Sequence, residues 1–177
     1  MVNIDTSNNE VTIMKKETVL LYDEKIKATW GTGAWSGEVD LVRWVDKATG
    51  LPCVVYRTDM GSLCGYIGIK ETLSTMYSLF YGLGYEDELL GEVRVHGGLT
   101  FSGKFNNVEE IYKDVWWFGF DCAHFMDIVP QLREMFLSRS GAKEGGTYKD
   151  IGYVTSEVES LALQFQKIAQ DNEHPIG

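Results

Sequence analysis

The sequence is poor in several things that would have simplified its reading. It has three cysteines, Cys53, Cys64 and Cys122, an odd number with no CxxC pair. That count fits reduced thiols in a cytosol better than a disulfide framework. No run approaches the roughly 20 consecutive apolar residues that a membrane span needs. The opening MVNIDTSNNEV has neither a basic stretch nor an apolar core, so no secretory signal is expected and the chain reads as cytoplasmic. Bases are scarce beside acids, with 16 Lys and Arg against 26 Asp and Glu, a net charge of −10. The imbalance is concentrated: residues 81–177 hold 16 acids and 8 bases, residues 1–80 hold 10 and 8. Such a field opposes phosphate backbones and excludes a nucleic-acid reader. It suits a basic macromolecular partner, or simply keeps a cytosolic protein soluble.

Catalytic signatures are missing too. The loop GTGAWSG, Gly31 to Gly37, has three glycines in seven residues. It lacks the lysine and apolar helix of a phosphate-binding fingerprint, and reads as a flexible loop with tryptophan at its tip. No GxSxG elbow occurs, so His96-Gly97-Gly98 is no esterase oxyanion loop. Zinc signatures with paired CxxC or HxxxH spacing are absent. No cofactor is called for; zinc remains the one metal whose ligand types are represented.

What is present suggests a single domain over 1–177, with residues 1–10 frayed. The class is α+β: an antiparallel or mixed sheet covered by a long C-terminal amphipathic helix. At 177 residues and 44% apolar composition the chain is long enough to bury a core without disulfides or metal. VTIMKK reads as the start of a strand, and ETVLLYDEKIKATW is ambiguous between helix and strand. EVDLVRWV, LPCVVYR and SLCGYIGI form a meander, with Gly61 placed for the positive φ of a turn and Gly65 and Gly68 marking close backbone approach or a bulge. ETLSTMYSLFYG sets Leu73, Met76, Tyr77 and Phe80 at helical spacing. GEVRVHGGLTFSG reads as strand, glycine turn, strand, and NNVEEIYKD as a short helix. VWWFGFD is aromatic and apolar on both faces, as a central strand is. CAHFMDIVP is a loop, Pro130 opens a helix through QLREMFLS, and SGAKEGG is a linker. After Thr147, paired with Asp150 in a capping-box-like spacing, apolar residues recur at Ile151, Val154, Val158, Leu161, Phe165 and Ile168. Steps of 3, 4, 3, 4, 3 draw one stripe along about six turns. The stripe docks on the sheet or, less simply, meets a partner, as would an exposed Trp30/Trp35 loop.

The candidate chemistry gathers where strands end. If strands ending at Val95 and Phe120 are neighbours, His96 and Asp121 leave one sheet edge together, near Cys122, His124 and Asp127. Three readings stay open. These residues are metal ligands, a thiolate–imidazolium pair with an orienting acid, or turn chemistry. In the last, Asp121 accepts turn N–H groups, His124 caps a carbonyl and Cys122 packs as a small apolar residue. No helix start follows Cys122 closely enough to lower its pKa. Turn chemistry with a ligand contact, and binding over catalysis, is the expectation.

Four blocks carry a resemblance: LCGYIGI (63–69), VHGGLTFSG (95–103), WWFGFDCAHFMD (116–127) with Pro130, and YKDIGYVTSEVESLALQ (148–164). Together, over roughly the second two-thirds of the chain, they resemble a family of small proteins encoded in bacteriophage and prophage genomes. Relatives carry a His-Pro step after the LCGY block and glycine at the position of Met126. Here Lys70-Glu71-Thr72 and Met126 stand instead, so a site built on those two features is not carried over. Residues 1–50 lie outside the resemblance, and 11–50 read as a lineage-specific addition. The family carries no established activity, but the phage-like signature together with the charge of −8 over residues 81–177 points to an anti-CRISPR-like inhibitor of a host defence protein. On that reading Glu86, Asp87, Glu88, Glu92, Glu109, Glu110 and Asp114 occupy a basic nucleic-acid groove. A small hydrolase or nucleotide-modifying enzyme using Cys122, His96, His124, Asp121 and Asp127 is the alternative.

Overall fold

The computed structural model describes residues 16–71, 75–105, 112–133 and 145–173. Among them, six strands form one antiparallel sheet: β1 (Glu17–Val19), β2 (Leu41–Val45), β3 (Pro52–Arg57), β4 (Leu63–Lys70), β5 (Phe101–Gly103) and β6 (Val115–Asp121). Their spatial order is β1-β2-β3-β4-β6-β5. The short helix α1 (Glu24–Ala28) follows β1, and the long helix α2 (Ile151–Glu173) closes the described chain. No helix among the described residues is long and apolar enough to cross a membrane.

The meander forms where alternation predicts it. Asp46 ties the β2–β3 turn by accepting from Thr49 N at 2.9 Å and Thr49 Oγ1 at 2.8 Å. Gly61 sits at φ +88° in the β3–β4 turn, where its N–H reaches Thr58 O at 2.9 Å. β6 lies inside the sheet, fully registered against β4 from Lys70↔Val115 to Cys64↔Asp121. Its alternate residues Phe118 and Phe120 face the main core while Val115 and Trp117 join a second aromatic cluster with Tyr66, Phe101 and Phe105. A strand buried on both faces explains why WWFGF shows no polar alternation.

Helix α2 packs its stripe on the sheet. Val154, Val158, Leu161, Ala162, Phe165 and Ala169 are fully buried, each large aliphatic or aromatic one contributing about 1.5–3 kcal/mol. The helix approaches closely because β4 has glycine at 65: a Cβ there would stand 2.5 Å from Val158 Cγ2 and 2.7 Å from Phe120 Cε1. The stripe therefore covers the protein's own sheet and offers no free partner surface.

Four expectations are corrected. Trp30 and Trp35 are buried, not exposed at a loop tip; 34–37 coils into a 3₁₀ turn, and Trp35 packs edge-on against Tyr148. Residues 75–80 form a 3₁₀ helix, because an i, i+3 apolar pair such as Tyr77 and Phe80 suits that helix as well as an α-helix. Residues 92–95 are not a strand. Their backbone finds side chains instead: Arg94 N donates to Gln164 Oε1 at 2.7 Å and Arg94 O accepts from Gln164 Nε2 at 2.8 Å. Finally, Asp150 rather than Thr147 caps α2, its Oδ1 accepting from Tyr153 N at 2.7 Å. The VTIMKK strand up to residue 15, most of NNVEEIYKD, the helix beyond Arg133, the linker through 144, Leu73 and residues 1–10 lie outside the described residues.

The segment read as an addition supplies β1, β2 and α1 and is tied in by buried charge. Arg57, fully buried on β3, donates to Asp40 Oδ1 at 2.7 Å, Glu38 Oε2 at 2.8 Å, Tyr148 OH at 2.6 Å, Gly61 O at 2.9 Å and Val39 O at 3.2 Å. Lys27 of α1 adds a second cation 2.8 Å from Asp40 Oδ1. Glu38 Oε1 in turn accepts from Ile151 N at 3.1 Å, at the start of α2. One network thus joins the N-terminal third, the central hairpin and the last helix.

Candidate functional site

The polar cluster is built by the turn that follows β6. Asp121 Oδ1 accepts from Ala123 N at 3.1 Å and its Oδ2 accepts from Thr100 Oγ1 at 2.9 Å. Asp127 N then closes on His124 O at 2.9 Å, and Met126 adopts φ +71°. Asp127 Oδ2 accepts from His124 N at 3.0 Å and lies 2.8 Å from His96 Nε2. The carboxylate's side chain is only 4% exposed, and Lys149 Nζ lies 3.9 Å from its other oxygen.

His96 comes from the segment that runs beside α2. Its N–H donates to Glu157 Oε2 at 2.8 Å, and its Nδ1 lies 3.1 Å from Tyr153 OH. His124 packs 5.6 Å away, ring centre to ring centre. Gly97, at φ +67°, makes this possible, because any Cβ at that position would collide with the His124 ring. His124 Nε2 is buried without a hydrogen bond, 3.8 Å from Asp121 Oδ1, too long for one.

Of the five candidates, His96 and Asp127 meet directly, His124 and Asp121 flank them, and Cys122 turns away. Neighbouring residues of an extended chain point to opposite faces, so Asp121 faces the turn while Cys122, 2% exposed, enters the main core. Burial, with Asp127, Cys64 and Asp121 in support, pushes its thiol well above the usual range. That is the opposite of what a nucleophilic cysteine needs. His96 arrives as expected, but by a different route: it pairs with Asp127 through a non-strand segment rather than leaving a sheet edge beside Asp121. Among the described residues, no three His, Cys, Asp or Glu side chains converge to hold a metal ion.

Reasoning from sequence missed Tyr153, Lys149 and the role of Glu157. Their spacing was a usable signal, since Lys149, Tyr153 and Glu157 recur every four residues along one polar flank of the C-terminal segment.

The acidic candidates are arranged differently. Glu86, Glu88, Glu92 and Asp114 are exposed. Asp87 is partly spent as a cap, its Oδ1 accepting from Leu89 N at 3.0 Å. Glu92 has only a loose, exposed contact with Arg94 at 3.8 Å, and Asp114 one with Lys104 at 3.8 Å. Glu109 and Glu110 lie outside the described residues.

No protein-family model, curated protein or solved structure matches this chain.

Proposed function

We propose that this protein is an acidic binding module that inhibits a host defence factor of a bacterial cell by occupying a basic, nucleic-acid-binding groove. The observation that supports this reading is the exposed run Glu86, Glu88 and Glu92. Glu88 opens the short 3₁₀ turn Glu88–Leu90, Glu86 and Glu92 flank it, and none is neutralised by a close ion pair among the described residues. Carboxylates held at a surface attract a cationic groove by the electrostatics that hold phosphates there. The phage-protein resemblance makes a CRISPR effector the partner class to test first. The alternative centred on the Cys122 thiol is disfavoured by that residue's burial.

The test is binding to purified CRISPR effectors, measured between about 50 and about 500 mM salt, a range over which the screening length falls severalfold. Affinity should weaken as salt rises, and Glu86→Gln with Glu88→Gln and Glu92→Gln should flatten that slope. Binding indifferent to salt, or no effector bound at all, overturns the reading.

A further inference from the structure

Tyr153 stands on the first turn of α2 with its hydroxyl 3.1 Å from His96 Nδ1. Behind the imidazole, Asp127 Oδ2 lies 2.8 Å from Nε2. Hydrogen-bond logic sets the direction of this chain. A carboxylate can only accept, so neutral His96 carries its proton on Nε2 and donates it to Asp127. Nδ1 is then an acceptor, and the Tyr153 hydroxyl is the donor. Carboxylate, imidazole and hydroxyl in series is the arrangement that activates a weak oxygen nucleophile.

From this geometry we infer that Tyr153 is an activated phenol that takes an acyl group from an uncharged activated ester, with His96 as general base and Asp127 positioning the ring. The imidazole is held at both ring nitrogens, and the backbone beneath it is tied down where His96 N donates to Glu157 Oε2 at 2.8 Å. Asp127 is itself fixed by His124 N at 3.0 Å. The phenol end of the series stays open to solvent, with Tyr153 39% exposed.

The surroundings select the electrophile. The charged groups around Tyr153 are Glu157, Asp127 and Asp150, whose Oδ1 accepts from Tyr153 N, with Lys149 Nζ 5.3 Å above the ring, the buried Cys122 thiol nearby and the His124 ring behind His96. Three carboxylates against one ammonium repel an incoming phosphate. The same turn exposes Phe125 and Met126, apolar surface suited to an acyl chain. Burial, then Glu157 and the other nearby acids, hold the phenol above its ordinary range. The resting group is therefore a phenol, and its reactivity must come from proton transfer during attack.

In the step itself, Tyr153 Oη attacks the carbonyl carbon while its proton passes to His96 Nδ1. The bond from carbon to the leaving alcohol's oxygen breaks, and the imidazolium returns the proton to that alkoxide. An aryl ester on Tyr153 and a free alcohol result. This inference goes beyond the acidic-surface reading and does not depend on it.

The test uses 4-nitrophenyl acetate on the full chain, with acetylated residues mapped by mass spectrometry. Tyr85 and Tyr56, at 38% and 36% exposure, are internal controls of matched accessibility. General-base assistance is worth about 10²–10⁴-fold, so Tyr153 should acylate at least about ten times faster than either control near neutral pH. Its dependence on pH should differ in form from that of the controls, because an imidazole takes its proton whereas theirs is lost to solvent. His96→Gln and Asp127→Asn should each remove most of the advantage without changing Tyr85 or Tyr56. Equal rates in the unaltered protein, a Tyr153 profile parallel to the controls, or an advantage that survives His96→Gln would each overturn the inference.

Discussion

Replacing Arg57 with methionine tests whether the buried charge network holds the fold together. Methionine keeps much of the apolar stem but removes five donor contacts, to Asp40, Glu38, Tyr148, Gly61 O and Val39 O. The loss is not spread evenly. Asp40 keeps Lys27 at 2.8 Å and the N–H groups of Leu21 and Tyr22 at 3.0 and 3.1 Å. Glu38 keeps the Tyr148 hydroxyl at 2.7 Å and Ile151 N at 3.1 Å. What disappears is the cation balancing the second carboxylate, leaving two acids and one lysine in a closed site. Breaking a buried pair from one side costs about 3–5 kcal/mol, and the surviving partners place this case near 3 kcal/mol. At this chain length that lowers the melting temperature by roughly 6–12 °C, readable by urea or thermal denaturation followed by circular dichroism. The pH dependence has a definite sign. Burial alone would raise the Asp40 carboxyl, but Lys27, Tyr22 N, Arg57 and Leu21 N outweigh it and hold it below the ordinary range. Its contribution is therefore present above the unfolded value, near 3.9, and is lost as pH falls through the lower folded value. Removing Arg57 takes away part of that depression, so acid unfolding should begin at higher pH in Arg57→Met. Arg57→Lys should fall between, keeping charge but losing the fork. Arg94→Ala, which loses an exposed ion pair and two hydrogen bonds to the Gly91 and Val93 carbonyls, should cost about 1 kcal/mol or less. A loss under about 1 kcal/mol for Arg57→Met, no larger than an exposed pair is worth, would refute the reasoning.

Three further outcomes are expected. Gly97→Ala forces a side chain into positive φ against the His124 ring. It should destabilise by about 1–3 kcal/mol and shift the His124 ring resonances in NMR; unchanged resonances would count against the close packing. Gly65→Ala should cost about 1–3 kcal/mol by overpacking, and Val158→Ala in the same chain should recover part of it, because Val158 Cγ2 is the nearest obstacle. Two additive losses would show that the helix does not approach there. All three cysteines are buried, with burial raising Cys64 to about 11 and Cys53 and Cys122 further. None should react with a thiol reagent at pH 8 until denaturant is added, and fast labelling of Cys122 in the native protein would reopen the thiol chemistry.

Patterns with local causes were legible in advance. The 3-4 stripe of α2, the meander of β2 to β4 and the two-faced apolar run of β6 are short-range signals, and each folded as its periodicity required. The 92–95 segment failed as a strand because extended backbone can be satisfied by any geometrically suitable partner, and here Gln164 of α2 is that partner. Trp35 failed as an exposed tip because glycine density reports conformational freedom, not the side on which the indole lands. The polar cluster was located but misassembled. His96, His124 and Asp127 stand out by residue type, whereas Tyr153, more than fifty residues from His96, joins them only through the fold.

Chain order alone thus determined the meander, the central strand and the last helix, their apolar faces and the acidic balance of the C-terminal half, since these follow from residue spacing and composition. The folded molecule decided which polar groups became partners. Asp121 and Cys122 are neighbours in sequence, but strand alternation sends one to the turn and the other into the core. His96 and Tyr153 are distant in sequence, but the docking of α2 beside residues 94–96 brings imidazole and phenol within hydrogen-bond reach.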